Sequence, residues 1–220
     1  MYRYESDYIM RMIHLLRLLY EHLLEITDSD RLRNGEDAIR ETMGKLTGLT
    51  PDAAMSLDVE QLCEMLGDDG EGMLRRFALA ELLRMQGELY ESFAFVEDAE
   101  PLLRKSLLLY LSTAKTATEL KESTVLHAQK LYRRFFSVLK EKEHLQAGQF
   151  FEEMACYADA EDAYCAMDDA LFAAEFYRRL FALSPEELAR GGFTYEETQD
   201  GFMRITRILG IGEGEDGSFG

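Results

Sequence analysis

Along residues 8–26 the polar side chains Arg11, His14, Arg17, Glu21 and Glu25 return every three or four positions, and most of what separates them is apolar. A period of 3.6 gathers these five onto one narrow stripe of a helix that is expected to be buried on its other sides. A second helix is predicted over 36–46, after Asn34-Gly35 and stopping at Gly48. Thr50-Pro51 then offers a hydroxyl cap followed by proline at the first helical position, where its missing N–H costs nothing. Short helices follow as far as Gly67. Residues 67–72 (GDDGEG) form the clearest internal loop, expected to act as a hinge before a helix running from 73 to about 92.

Two later helix starts are written in capping boxes, Ser184-Pro185-Glu186-Glu187 and Thr194-Tyr195-Glu196-Glu197, each with a hydroxyl at the cap and a glutamate three residues on. Gly191 and Gly210 are expected to end the helices that follow. No stretch alternates with period two, so the fold class is all-α. The reading is one helical domain over 1–210, nine or ten helices, and a disordered, acidic, glycine-rich tail over 211–220.

Residues 87–100 (GELYESFAFVEDAE) and 148–161 (GQFFEEMACYADAE) match at six of fourteen positions with a constant offset of 61. Gly87 and Gly148 are expected to admit a neighbouring helix, Tyr90 and Phe151 to fill the groove, Asp98 and Asp159 to start the second helix, and Ala99 and Ala160 to fit its crossing. This unit resembles tetratricopeptide repeats, in which a glycine is followed by an aromatic three residues on and an alanine twelve residues on. Gly148, Phe151, Tyr157, Ala160 and Tyr164 fit best, although the spacing is not 34 residues and tryptophan is absent. The implied architecture is a set of stacked antiparallel hairpins with irregular repeats. The chain as a whole resembles an uncharacterised family of small bacterial proteins, on the helix at 7–13 (DYIMRMI), the turn at 157–162 (YADAED) and the segment at 186–192 (EELARGG). That resemblance implies a fold and no activity.

Charge narrows the partners. With 42 acidic against 24 basic residues the formal charge is -18, a field that repels phosphate backbones and anionic lipid. Nucleic acid and membrane are therefore not expected as partners. Cys63, Cys156 and Cys165 are odd in number and show no C-x-x-C pair, as expected of a reduced, cytoplasmic chain.

No catalytic set emerges. His14, His22, His127 and His144 lack the i, i+4 spacing of a helical zinc site, and Glu-x-x-His does not occur on two helices as a di-metal bundle requires. The route to metal catalysis left by the residue types is Glu152, Glu153 and His144. No cofactor is expected. The favoured reading is a non-enzymatic module whose concave groove takes a peptide or helix of a protein partner, and its rival is a peptide or small-molecule sensor acting through a partner. The first helix is too apolar for one groove, so its surplus surface is expected to join two copies, with Leu16 and Leu19 at the contact and Arg11 and Arg17 at its margin.

Overall fold

A computed structural model describes residues 2–26, 30–113 and 118–210. In the first helix, α1 (Tyr2–Glu25), the apolar stripe is narrower than the sequence suggests. Ile9, Met12, Leu16, Leu19 and Leu23 are buried, and Ile26 just beyond the helix continues the row. Their spacing of three, four, three, four and three is the signature of one helix face laid on a core.

There follow α2 (Arg31–Thr47), α3 (Pro51–Ser56), α4 (Val59–Leu66), α5 (Gly70–Ser92), α6 (Val96–Leu111), α7 (Thr118–Phe135) and a 3-10 turn (Phe136–Val138). The chain continues as α8 (Glu141–Glu153), α9 (Tyr157–Cys165), α10 (Ala170–Phe181), α11 (Pro185–Arg190) and α12 (Tyr195–Ile208). The described residues thus contain twelve α-helices and no strand, two or three helices more than expected. None of those helices is long and apolar enough to cross a membrane. The expected tail at 211–220 lies outside the described residues. The chain divides into two compact units, 1–135 and 136–220.

In the first unit α5 is the central element, packed by α1, α2, α4 and α6. Almost every residue from Leu74 to Gly87 is buried, which is why this helix has no marked polar face. The 67–72 segment lies within this unit: Gly67 has a positive φ of 93°, but helix α5 already begins at Gly70 because the Asp69 carboxylate accepts the Gly72 N–H at 2.7 Å. The expected α2 starts late for a related reason. Asn34-Gly35 is inside the helix, where a Cβ on Gly35 would lie 2.7 Å from a Leu89 methyl; the glycine serves close packing and not a turn. From α6, the Lys105 ammonium reaches back to donate to the carbonyls of Ala54, Met55 and Leu57 at 2.9, 2.8 and 2.6 Å. It thereby satisfies orphan carbonyls around the end of the six-residue α3.

The repeated segment is the same junction built twice. Between α5 and α6, Ala94 takes a positive φ of 63°; between α8 and α9, Ala155 takes 57°, 61 residues on. In each, the chain reverses through a Schellman pair. Phe95 donates to the Tyr90 carbonyl at 3.0 Å and Ala94 to Glu91 at 2.9 Å, just as Cys156 donates to Phe151 at 2.8 Å and Ala155 to Glu152 at 3.0 Å. The glycines do what was expected of them. A Cβ on Gly87 would lie 2.6 Å from Leu103 Cγ, and one on Gly148 would lie 2.8 Å from the Tyr164 ring, so a side chain at the same repeat position fills each notch. Ala99 and Ala160 are both fully buried.

Two expectations for this unit need correction. Tyr90 is only half-buried and sends its hydroxyl to Glu36 on α2 at 2.6 Å, while Phe151 is fully buried. Asp98 and Asp159 do not cap their helices, because the cap positions are Phe95 and Cys156 and the acids sit three residues further on, in the first turn, where the helix dipole favours them.

The second unit carries its aromatics on glycines. Besides Tyr164 on Gly148, the Tyr157 ring lies against Gly191 and the Tyr177 ring against Gly201, where added Cβ atoms would sit 2.1 and 2.3 Å from ring carbons. Both capping boxes form as written, with Ser184 and Thr194 accepting from Glu187 and Glu197 N–H. Gly191 does not end α11 in a left-handed conformation; Gly192 does, at φ 77°, because Gly191 is needed beneath the Tyr157 ring.

Left-handed alanine costs roughly 1–2 kcal/mol where glycine costs little. Ala94→Gly, at an exposed position, is therefore expected to stabilise the protein by about 1 kcal/mol. Gly148→Ala drives a methyl into the Tyr164 ring and is expected to cost about 1–3 kcal/mol. Urea unfolding of both variants checks the pair, and the two signs must be opposite.

Candidate functional site

A helix buried on all sides has to pair whatever charge it carries. On α5, Glu81 and Arg84 stand three residues apart and are both more than nine-tenths buried. Arg84 donates to Glu81 Oε2 at 2.7 Å and to Glu88 Oε2 at 2.6 Å. From α7, His127 Nδ1 lies 2.7 Å from Glu81 Oε1, with the Tyr110 hydroxyl of α6 at 3.4 Å from the same nitrogen. Burial by itself would raise the Glu81 carboxyl; the hydrogen bond from His127 and the Arg84 charge outweigh it and hold the group at about 2. The fully buried Tyr110 hydroxyl is pushed well above its ordinary value, first by burial and then by the Glu81 charge. This network borders a cleft of about 420 Å³ whose walls come from α1, α5 and α7, with Leu16, Arg17, Phe77, Leu120 and His127 among them.

In the second unit a groove of about 540 Å³ runs along α8, α9 and α10. Glu152 is its anchor, accepting from Arg179 Nε and Nη2 at 2.6 and 2.8 Å and from the Tyr164 hydroxyl at 2.8 Å. Burial and then that same carboxylate push the Tyr164 hydroxyl up. Glu153, Glu175, Phe172 and Leu183 complete an acidic and partly apolar lining. His144, paired with Glu152 and Glu153 in the metal reading, is buried on α8 with its ring edge-on to Phe136 at 5.1 Å. No three metal-ligating side chains converge among the described residues.

The residues expected at a contact between two copies fall into two classes. Leu16 and Leu19 are buried in their own chain, at 7% and 5% exposure, so neither is free for a second copy. Arg11 and Arg17 are exposed, and Arg17 is held by Glu21 at 3.3 Å. The surplus apolar surface of α1 is instead at Met10, Leu18 and Leu24.

The duplicated junction supplies a site that was not anticipated. In the second unit its turn is sealed: Met154 and Tyr157 are 6% and 8% exposed, and Tyr157 donates its N–H to the Gly191 carbonyl at 3.3 Å beneath the end of α11. In the first unit the equivalent Phe93 and Val96, with Phe95 between them, are 36%, 53% and 46% exposed. Glu97, Asp98 and Glu100 stand exposed beside them. The 61-residue offset located this junction, but the sequence does not announce which copy is covered. The cover comes from Gly191 at the end of α11, well beyond the second copy at 148–161. The Glu81–His127 pair was equally hidden, since its partners lie 46 residues apart. A signal did exist in the acid and base at 81 and 84 inside an otherwise apolar run.

The Glu81 pairing makes stability pH-dependent. A carboxyl lowered from 4.5 to about 2 on folding contributes fully above pH 4.5, and that contribution is lost as pH falls toward 2. Glu81→Gln leaves Arg84 without its buried partner and is expected to cost roughly 3–5 kcal/mol at pH 7. In urea titrations the gap between wild type and variant should narrow as pH is lowered from 5 to about 2; a constant gap contradicts the pairing.

No curated protein and no solved structure matches the chain. A family model does, over residues 3–210, spanning both units and every helix described above. The chain belongs to that family, the family of unknown function DUF6483.

Proposed function

We propose that the protein is a non-enzymatic interaction module, built as irregular tetratricopeptide-like hairpins, that docks a protein partner on the bare turn of its first unit. The observation that carries this reading is the internal comparison. One sequence element makes two equivalent turns, and among the described residues a helix end covers one, while in the other Phe95 and Val96 stand about half exposed and Phe93 partly so beneath Arg31. Contiguous exposed apolar surface of this kind, rimmed by polar residues, is the usual mark of a docking site. The occupant of the covered turn describes the partner's shape: a short helix ending in a glycine, close enough for an aromatic ring to lie on the backbone. The acids at 97, 98 and 100 specify its charge, because a basic segment gains from them and a second copy of this acidic chain does not. The groove beside Glu152 offers an extended peptide a second acidic surface of the concave type expected from the sequence.

Photo-crosslinking tests the docking surface. With benzoylphenylalanine in place of Phe95 in the full chain, crosslinks in the native host should map to a lysine- or arginine-rich helical segment of another protein. Phe95→Asp with Val96→Asp should abolish association with that protein while leaving the melting temperature within about 2 °C. Crosslinks that map to the chain's own residues, or an association that survives the double variant, contradict the proposal.

A further inference from the structure

We propose that the cleft between α1, α5 and α7 is a binding site for a small carboxylic acid with an apolar body, a property independent of the docking surface. The argument rests on which hydrogen-bonding groups there are already used. Both oxygens of Glu81 are taken, one by His127 and one by Arg84. Both oxygens of Glu88 are taken as well, by Arg84 at 2.6 Å and Lys130 at 3.4 Å. What remains unspent at the cleft is donors. Arg84, its side chain more than nine-tenths buried, has an Nε–H with no protein partner. Ser123 lines the opening with a hydroxyl, and Arg17 stands exposed at the margin with only a 3.3 Å contact to its helix neighbour Glu21. A cleft whose lining carboxylate is already satisfied and whose walls carry two guanidinium groups selects an acceptor of negative charge. An amine finds no free carboxylate there and meets two cations.

His127 completes the match. Its Nδ1 faces Glu81, and its other ring nitrogen has no hydrogen bond among the described residues. The carboxylate on one nitrogen fixes the ring and prepares the other for a ligand. The charged and titratable groups around this ring are Glu81 and Arg84 from α5 and Tyr110 from α6, with Glu88 and Lys130 paired beyond them and Arg17 of α1 exposed at the margin of the cleft. Ile13, Leu16, Phe77, Met85 and Leu120 give the rest of the ligand an apolar wall, and a volume near 420 Å³ is in the range of small-molecule pockets.

Calorimetry of the full chain with three probes of equal length, octanoate, octylamine and octanol, decides the matter. Octanoate should bind saturably, one per chain; octylamine and octanol should bind at least about tenfold more weakly. His127→Gln should weaken octanoate about tenfold. Arg17→Ala, an exposed change that leaves the buried network intact, should weaken it about threefold and keeps the test decisive if the histidine variant unfolds. Absence of saturable octanoate binding overturns the proposal. So does binding of octylamine as strongly as the acid, or octanoate affinity unchanged in a folded His127→Gln or in Arg17→Ala.

Discussion

Where two helices meet at Gly87, and again at Gly148, their backbones approach so closely that even a methyl group would collide with the side chain seated there. That approach fixes the rest of each hairpin. It sets the place of Leu103 and Tyr164, it buries Ala99 and Ala160, and it leaves only a few residues in which the chain can reverse. The reversal is tight enough to hold an alanine in a left-handed conformation in both copies, a strain that persists only because the surrounding packing over-determines it. Glycine would relax it, and each copy carries alanine at the same repeat position.

Close packing around the first hairpin also explains the buried charges. With helices on several sides of α5, Glu81 and Arg84 have no solvent to turn to and must satisfy one another. Two charges on one helix still leave a carboxylate oxygen over, and His127 of α7 takes it. The cleft beside them follows from the same arrangement, since α1 contributes one row of apolar side chains and turns its arginines outward.

What was legible in the sequence was local. Hydroxyl and glutamate three residues apart at 184 and 194 became capping boxes because both partners lie within one turn of the helix they start. The 61-residue repeat was legible for a similar reason, since it compares short segments with each other. Contacts between distant segments were not. Asn34-Gly35 reads as a turn, and only Leu89, far along the chain, shows why the glycine belongs in a helix. Gly191 reads as a helix stop, but the ring of Tyr157 claims it and passes that role to Gly192. Leu16 and Leu19 read as surplus surface because a sequence gives the width of an apolar stripe and not which part of it the core occupies.

The account holds that a duplicated turn is sealed in one unit and left open in the other for a partner. Hydroxyl-radical footprinting reads this directly, by comparing oxidation at Phe93 and Phe95 with oxidation at Tyr157, each relative to the unfolded chain. In purified protein the two phenylalanines, Phe95 above all, should react at a substantial fraction of their unfolded rate and Tyr157 should be protected; in a native lysate Phe95 should become protected too. Protection of Phe95 in the purified protein, or its full reactivity in the lysate, would contradict the account.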